Sequence, residues 1–180
     1  MARRETLILV DGGNRAIGEA EKWAVHREGL LHRAFSIFLV DEAGRVLLQR
    51  RSLAKYHSAD LWANSCCGHP RPGERTSSAA RRRLREELGA TASLKYEFRA
   101  QYRTELPNGL TENEIVYVFF GPSPREEFKL NPAEVSEVEW LTPEELQRDI
   151  ARRPRRYAYW LRYYMKNHYA AIRRGVKGMR

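Results

Sequence analysis

Four groups of side chains in this 180-residue sequence have the types and spacing for acid–base or metal chemistry. The first is NSCCGHPRPGE (64–74), where the only two cysteines, Cys66 and Cys67, stand beside Gly68 and His69. Adjacent cysteines do not readily meet the Cα geometry of a disulfide. The pair therefore reads as a structural accident, a metal clamp, or one nucleophilic or acid–base thiol with a bystander. The second group is TENEIVYVFF (111–120). Side chains on a strand repeat every two residues, so Glu112 and Glu114 share a face. Two like charges there cost energy unless a cation or a proton is shared. The third group is histidine. Of His26, His32, His57, His69 and His168, the first two precede an apolar strand and His69 lies in the cysteine loop. Three histidines with two glutamates suit a six-coordinate site for zinc, manganese or magnesium. The fourth is TSSAARRRLREELG (76–89). A Gly-rich loop entering a helix whose last turns carry adjacent carboxylates can hold a hard cation against a diphosphate. The competing reading is surface pairing of Arg82 with Glu86 and Arg83 with Glu87 at i,i+4, which stabilises little.

These groups need elements to position them. TLILVD reads as a strand closed by the DGGN turn, and RAFSIFLVDEAGRVLLQRR as a hairpin-like pair of apolar runs. The arginine-rich helix takes its cap from 76–78 and its stop from Gly89. LKYEFRAQYRTEL, ENEIVYVFF and EVEWL are further strands, and TPEELQRDIAR is a helix with a Thr cap and Pro in its first turn. The tail 155–174 is aromatic and basic at helical spacing. Tyr157, Trp160, Leu161, Tyr164 and Met165 define a core-facing stripe, set against a surface that stacks bases or meets anionic lipid. Strands in runs with interrupting helices give an α+β fold, a mixed sheet flanked by helices. The expected organisation is a single domain with a core over about 30–151 and a C-terminal helix over about 155–174.

A net charge of +9 favours anionic partners. Two cysteines make no disulfide framework, and free thiols suit a reducing compartment. No window approaches the roughly 18 apolar residues of a membrane span, and the N-terminus does not read as a secretory signal. A soluble, cytoplasmic protein is expected.

Gly68, five residues, Glu74, seven residues and then Arg82 to Ala90 closely resemble the Nudix box, GX5EX7REUXEEXGU with U aliphatic. Arg82, Leu84, Glu86, Glu87 and Gly89 match; Arg83 replaces a Glu, and Ala90 is a weak aliphatic. An arginine inside that carboxylate cluster suits anion binding more than metal-assisted hydrolysis. Together with NSCCGHP, TENEIVYVFF and EKWAVHREGLLHRAFS, the box resembles the type I isopentenyl-diphosphate isomerases of the Nudix superfamily, from about Leu7 to Trp160.

The resemblance implies a reaction and roles. Isopentenyl and dimethylallyl diphosphate interconvert by protonation and deprotonation through a tertiary carbocation. His26, His32, His69, Glu112 and Glu114 match ligands of one divalent metal, zinc, manganese or magnesium. Cys67 matches the catalytic cysteine, Glu114 a carboxylate that also moves protons, and Tyr102 the tyrosine beside it. Glu87 matches the ligand of a Mg²⁺ that travels with the diphosphate. Lys22, Arg51, Lys55 and Arg83 match the basic lining of the diphosphate pocket, which gives the cation at Arg83 a reason. Trp160 matches an aromatic that shields the reacting carbons, and Cys66 is left to pack as a small apolar residue. The implied partner is a small isoprenoid diphosphate, with no nucleic acid and no membrane. The competing enzyme is a Nudix hydrolase of a nucleoside diphosphate derivative, against which Cys67, the Glu112/Glu114 pair and Arg83 all argue.

Overall fold

The nearly unbroken apolar run HRAFSIFLV forms β3 (His32–Val40), a strand buried on both faces. Ala34, Phe38 and Val40 enter one hydrophobic cluster, and Phe35, Ile37 and Leu39 enter the other. The structure is a computed structural model that describes residues 5–125 and 127–179. In chain order before β3 come β1 (Thr6–Val10), β2 (Ala16–Glu21) and α1 (Lys22–Glu28). β1 and β2 pair across the DGGN turn, and β2 is largely exposed, so AIGEAE carries no burial signal in sequence.

After β3 come β4 (Val46–Arg51), β5 (Trp62–Asn64), β6 (Cys66–Gly68) and α2 (Thr76–Leu88). Next are β7 (Lys95–Glu105), β8 (Thr111–Pro122) and β9 (Val135–Leu141). β3 runs parallel to β8 and antiparallel to β6, while β4 pairs with β5 and β9. The expected hairpin of the two long apolar runs is therefore not regular. β3 and β4 share only the Val40–Val46 pair, because the edges of each are taken by other strands. The sheet is mixed and the fold α+β, as expected.

Helices cover both faces. α2 packs Ala79, Ala80, Leu84 and Leu88 over the cluster that holds Phe35, Ile37 and Cys66. Its N-cap is Arg75, with no side-chain cap bond, rather than one of residues 76–78. α3 (Pro143–Arg152) has the expected Thr142 cap, completed as a capping box by Glu145. The tail departs from one helix. A 3₁₀ turn (Pro154–Arg156) leads into α4 (Tyr159–Asn167) and α5 (Tyr169–Lys177), with the break at His168 (φ −129°, ψ 22°). The expected stripe holds: Tyr157, Trp160, Leu161, Tyr164 and Met165 are all buried against the sheet. Among the described residues no helix is long and apolar enough to cross a membrane.

Gly89 ends α2 at φ 63°, and a Cβ there would lie 2.7 Å from the Lys129 Cβ. Gly89→Ala is expected to cost about 2 kcal/mol or more, from left-handed strain plus overpacking. Thermal melting checks this: Tm should fall by roughly 4 °C or more.

Candidate active site and metal centre

Strand register assembles the site from distant segments. In the parallel β3–β8 pair His32 lies opposite Glu114, and in the antiparallel β7–β8 pair Tyr102 also lies opposite Glu114. In the β3–β6 pair Ser36 lies opposite Cys67. Since side chains alternate, His32, Ala34 and Ser36 share one face of β3. The acid end and the thiol end therefore sit about 13 Å apart at the backbone, four residues along the strand. Between them on that face is Ala34, whose methyl forms part of the floor of a cleft of about 640 Å³, solvent at its mouth included. Trp160 lines the same cleft.

The same alternation separates the two thiols. Cys66 is fully buried on the α2 face, among Phe35, Ile37 and Leu84. Cys67 points to the other face and into the cleft. Its Sγ donates to Asn64 Oδ1 at 3.2 Å and lies 3.5 Å from Ser36 Oγ. Asn64 Oδ1 also accepts from Trp160 Nε1 at 3.1 Å, so one buried amide orients both the sulfur and the indole. Burial pushes the Cys67 thiol up to about 12, against the opposing hydrogen bonds of Ser36 and Asn64. At neutral pH the sulfur is a thiol, not a thiolate.

At the acid end, donors and lone pairs can be assigned from their partners. His26 Nδ1 lies 2.7 Å from the Lys22 carbonyl and His32 Nδ1 lies 2.9 Å from the Leu30 carbonyl. A carbonyl only accepts, so each Nδ1 carries the proton and each Nε2 turns a lone pair inward. His69 Nε2 meets Glu114 Oε1 at 2.9 Å, with His32 Nε2 3.3 Å from the same oxygen. Glu112 Oε2 lies 3.6 Å from His26 Nε2. His32 Nε2 and Glu112 Oε2 are buried without a hydrogen-bond partner. Lone pairs facing carboxylate oxygens in a buried cluster call for a cation among them. His26, His32, His69 and Glu114 offer ligand atoms close enough together to share one ion, and His26, His57 and Glu112 form an adjoining set. The residues present fit a divalent metal.

The carboxylates stay ionised. Burial raises Glu114, and Glu112 adds to it, but the neighbouring imidazoles of His32 and His69 outweigh both and hold it below its usual value. Tyr102 donates its hydroxyl to Glu114 Oε2 at 2.5 Å, and burial keeps that phenol protonated. Burial also pushes His69 down to about 4.

The cleft also has a cationic lining. Lys22, Arg51, Lys55 and Arg83 all line it. Lys22 pairs with Glu5 at 2.8 Å, and Glu134 holds both Lys55 (2.5 Å) and Arg83 (2.9 Å). Burial opposes ionisation of Glu134, yet Lys55 and Arg83 bring it down to about 2. Arg51 donates to the carbonyls of His57 and Ser58 and lies over the Trp160 ring at 5.2 Å. Gly68 permits the close approach of β6 to the helix, since a Cβ there would meet the Phe35 ring at 3.0 Å and Arg83 Cγ at 3.3 Å.

Ten of the expected site residues face this cleft: Cys67, Glu114, Tyr102, His69, Glu112, Lys22, Arg51, Lys55, Arg83 and Trp160. His26 and His32 sit behind its wall, in contact with Glu112 and Glu114. Glu87 lies off the cleft wall, with Oε1 held by Arg83 at 2.6 Å and Oε2 by Gln49 at 3.0 Å, because α2 turns that carboxylate toward β4. Both surface-type pairs expected in the helix are present, Arg82 with Glu86 and Arg83 with Glu87. Sequence reasoning missed Asn64, Glu134 and His57. Asn64 opens the very stretch that drew attention to the thiols; Glu134 and His57 lie in loops without a periodic signal.

A NUDIX domain model matches residues 30–162. The chain is 47% identical over 157 residues to isopentenyl-diphosphate Delta-isomerase 2 of Aromatoleum aromaticum, covering 87% of this chain and 82% of that one. It is 44% identical over 163 residues to the isopentenyl-diphosphate Delta-isomerase of Serratia proteamaculans, covering 91% and 90%. Among solved structures, a Deinococcus radiodurans protein superposes with a TM-score of 0.68 at 28% identity, covering 82% of this chain and 90% of that one. A MutT protein from Methanosarcina mazei, at 22% identity, shares the fold (TM-score 0.62; 78% and 93% covered).

Proposed function

The chain belongs to the NUDIX-domain isopentenyl-diphosphate Delta-isomerases, and we propose that Cys67 and Glu114, with Tyr102, are the groups that move its protons. It is an enzyme that interconverts isopentenyl and dimethylallyl diphosphate, and relatives of that name favour this over the hydrolase alternative. The observation that carries the pairing is the shared face of β3. A protonated thiol and an ionised carboxyl flank Ala34 along one cleft, under Trp160.

The reaction needs a proton added to the terminal carbon of an unactivated alkene and another removed next to the diphosphate-bearing carbon. An acid and a base on opposite sides of the five-carbon chain achieve this with one mobile proton between them. When Glu114 is ionised, Cys67 gives its proton to the alkene and Glu114 takes a different one from the substrate. Solvent exchange then reprotonates the thiolate and deprotonates the carboxyl before the next turnover, and the reverse direction runs the same two transfers backwards. Tyr102 extends the Glu114 side by a hydroxyl that can hand on a proton. Trp160 offers its ring face to the positive charge that forms on the tertiary carbon and keeps water off it. A divalent ion held by His26, His32, His69, Glu112 and Glu114, for which zinc, manganese and magnesium all suit the donor set, would supply Lewis-acid polarisation at the Glu114 carboxyl.

Lys22, Arg51, Lys55 and Arg83 clamp the diphosphate by charge-assisted hydrogen bonds. Glu87, whose Oε1 is paired with Arg83, would hold a Mg²⁺ that accompanies the diphosphate. The basic tail is not assigned to nucleic acid, since Trp160 and Tyr164 are spent on the core. A cytoplasmic setting fits, because a working Cys67 must stay reduced.

The test is incubation with isopentenyl diphosphate and Mg²⁺ in D₂O, followed by NMR. Dimethylallyl signals carrying deuterium in a methyl group are expected. Release of orthophosphate without such signals would contradict the reading.

A further inference from the structure

We propose that His57 is a positioning residue for the metal centre, holding Glu112 by one carboxylate oxygen so that the other faces His26. The inference rests on the reading that the His/Glu cluster binds a divalent ion. His57 Nε2 lies 3.0 Å from Glu112 Oε1, while Oε2, the oxygen without a hydrogen-bond partner, is the one turned to His26. An ionised carboxylate has no proton to give, so the imidazole donates at this contact. A ligating carboxylate that is itself hydrogen-bonded from outside is fixed in orientation and loses little freedom when a cation arrives.

His57 is itself held from several sides. It is 8% exposed, edge-on to the Tyr56 ring at 4.3 Å and to the Trp160 ring at 6.0 Å. Its Nδ1 lies 3.2 Å from Ser58 Oγ, and its carbonyl accepts from Arg51 Nη2 at 3.1 Å. Ser58 (φ 47°) and Asp60 (φ 65°) hold left-handed backbone without being glycine, a conformation that persists where surroundings over-determine it. The loop 52–61 therefore links the metal centre, through His57, to the diphosphate-facing Arg51 and to Trp160.

The probe is Mn²⁺ alone, its affinity for the metal-free protein measured by chelator competition in wild type, His57→Ala and His57→Gln. Circular dichroism and melting of the metal-free forms establish that each is folded. His57→Ala should bind Mn²⁺ about 10- to 100-fold more weakly, the usual consequence of losing such a partner. His57→Gln, whose amide still donates to Glu112, should recover most of that loss. An unchanged affinity in folded His57→Ala overturns the proposal. Equal loss in both variants overturns it too, because His57 would then be a ligand and not a positioner. A wild-type protein that binds no Mn²⁺ overturns this proposal together with the metal reading on which it rests.

Discussion

Cys67→Ala is expected to lower isomerisation by about 10³-fold, within the range that a positioned proton donor or acceptor contributes, while Cys66→Ala keeps most of the activity. The contrast follows from one residue of register. Cys67 shares the cleft with Glu114 and Trp160, with its sulfur aimed by Asn64 and Ser36. Cys66 lies on the opposite face under α2 and has no path to substrate. Its replacement leaves a small void, costing about 1 kcal/mol of stability. Steady-state rates of the two purified variants decide the matter. Equal losses, or an unimpaired Cys67→Ala, would remove the thiol from the mechanism.

Glu114→Gln should cost a similar factor, about 10³-fold or more, because the amide neither takes up nor releases a proton at neutral pH. It also disturbs the cluster. Glu114 presents one oxygen to His69 and His32 and the other to the Tyr102 hydroxyl, and glutamine must turn an NH₂ toward one of those sides. Metal affinity falls as well, so the experiment is run at rising Mn²⁺ concentration with bound metal measured alongside rate. Occupancy should recover while turnover stays low. Full recovery of the rate at saturating metal would reduce Glu114 to a ligand and take the proton chemistry away from it.

Much of this site can be read in the chain, for reasons that differ residue by residue. The alternation of a strand is enough to put Cys66 and Cys67 on opposite faces and Glu112 with Glu114 on one. The box spacing brings Gly68 and Arg83 together, as the Cβ contact at Gly68 bears out. What local pattern cannot supply is partnership between distant strands. His32 and Glu114 meet because β3 and β8 pair in parallel, a crossover that no hairpin signal announces. For the same reason the apolar runs around 43–44 suggested a hairpin that β8, β6, β5 and β9 largely replace. β2, β5 and β6 are short or exposed and lack the apolar periodicity that marks a strand. Glu134 and His57 act through loops, where residue type alone does not say what a side chain will face.

The most direct measurement is a crystal structure of the metal-loaded enzyme with a saturated five-carbon diphosphate. The diphosphate should lie among Lys22, Arg51, Lys55 and Arg83, with the carbon chain over Ala34. Cys67 Sγ and a Glu114 or Tyr102 oxygen should approach that chain from opposite sides, each within about 4 Å. A chain lying outside the gap, or with both groups on the same side of it, would contradict the account.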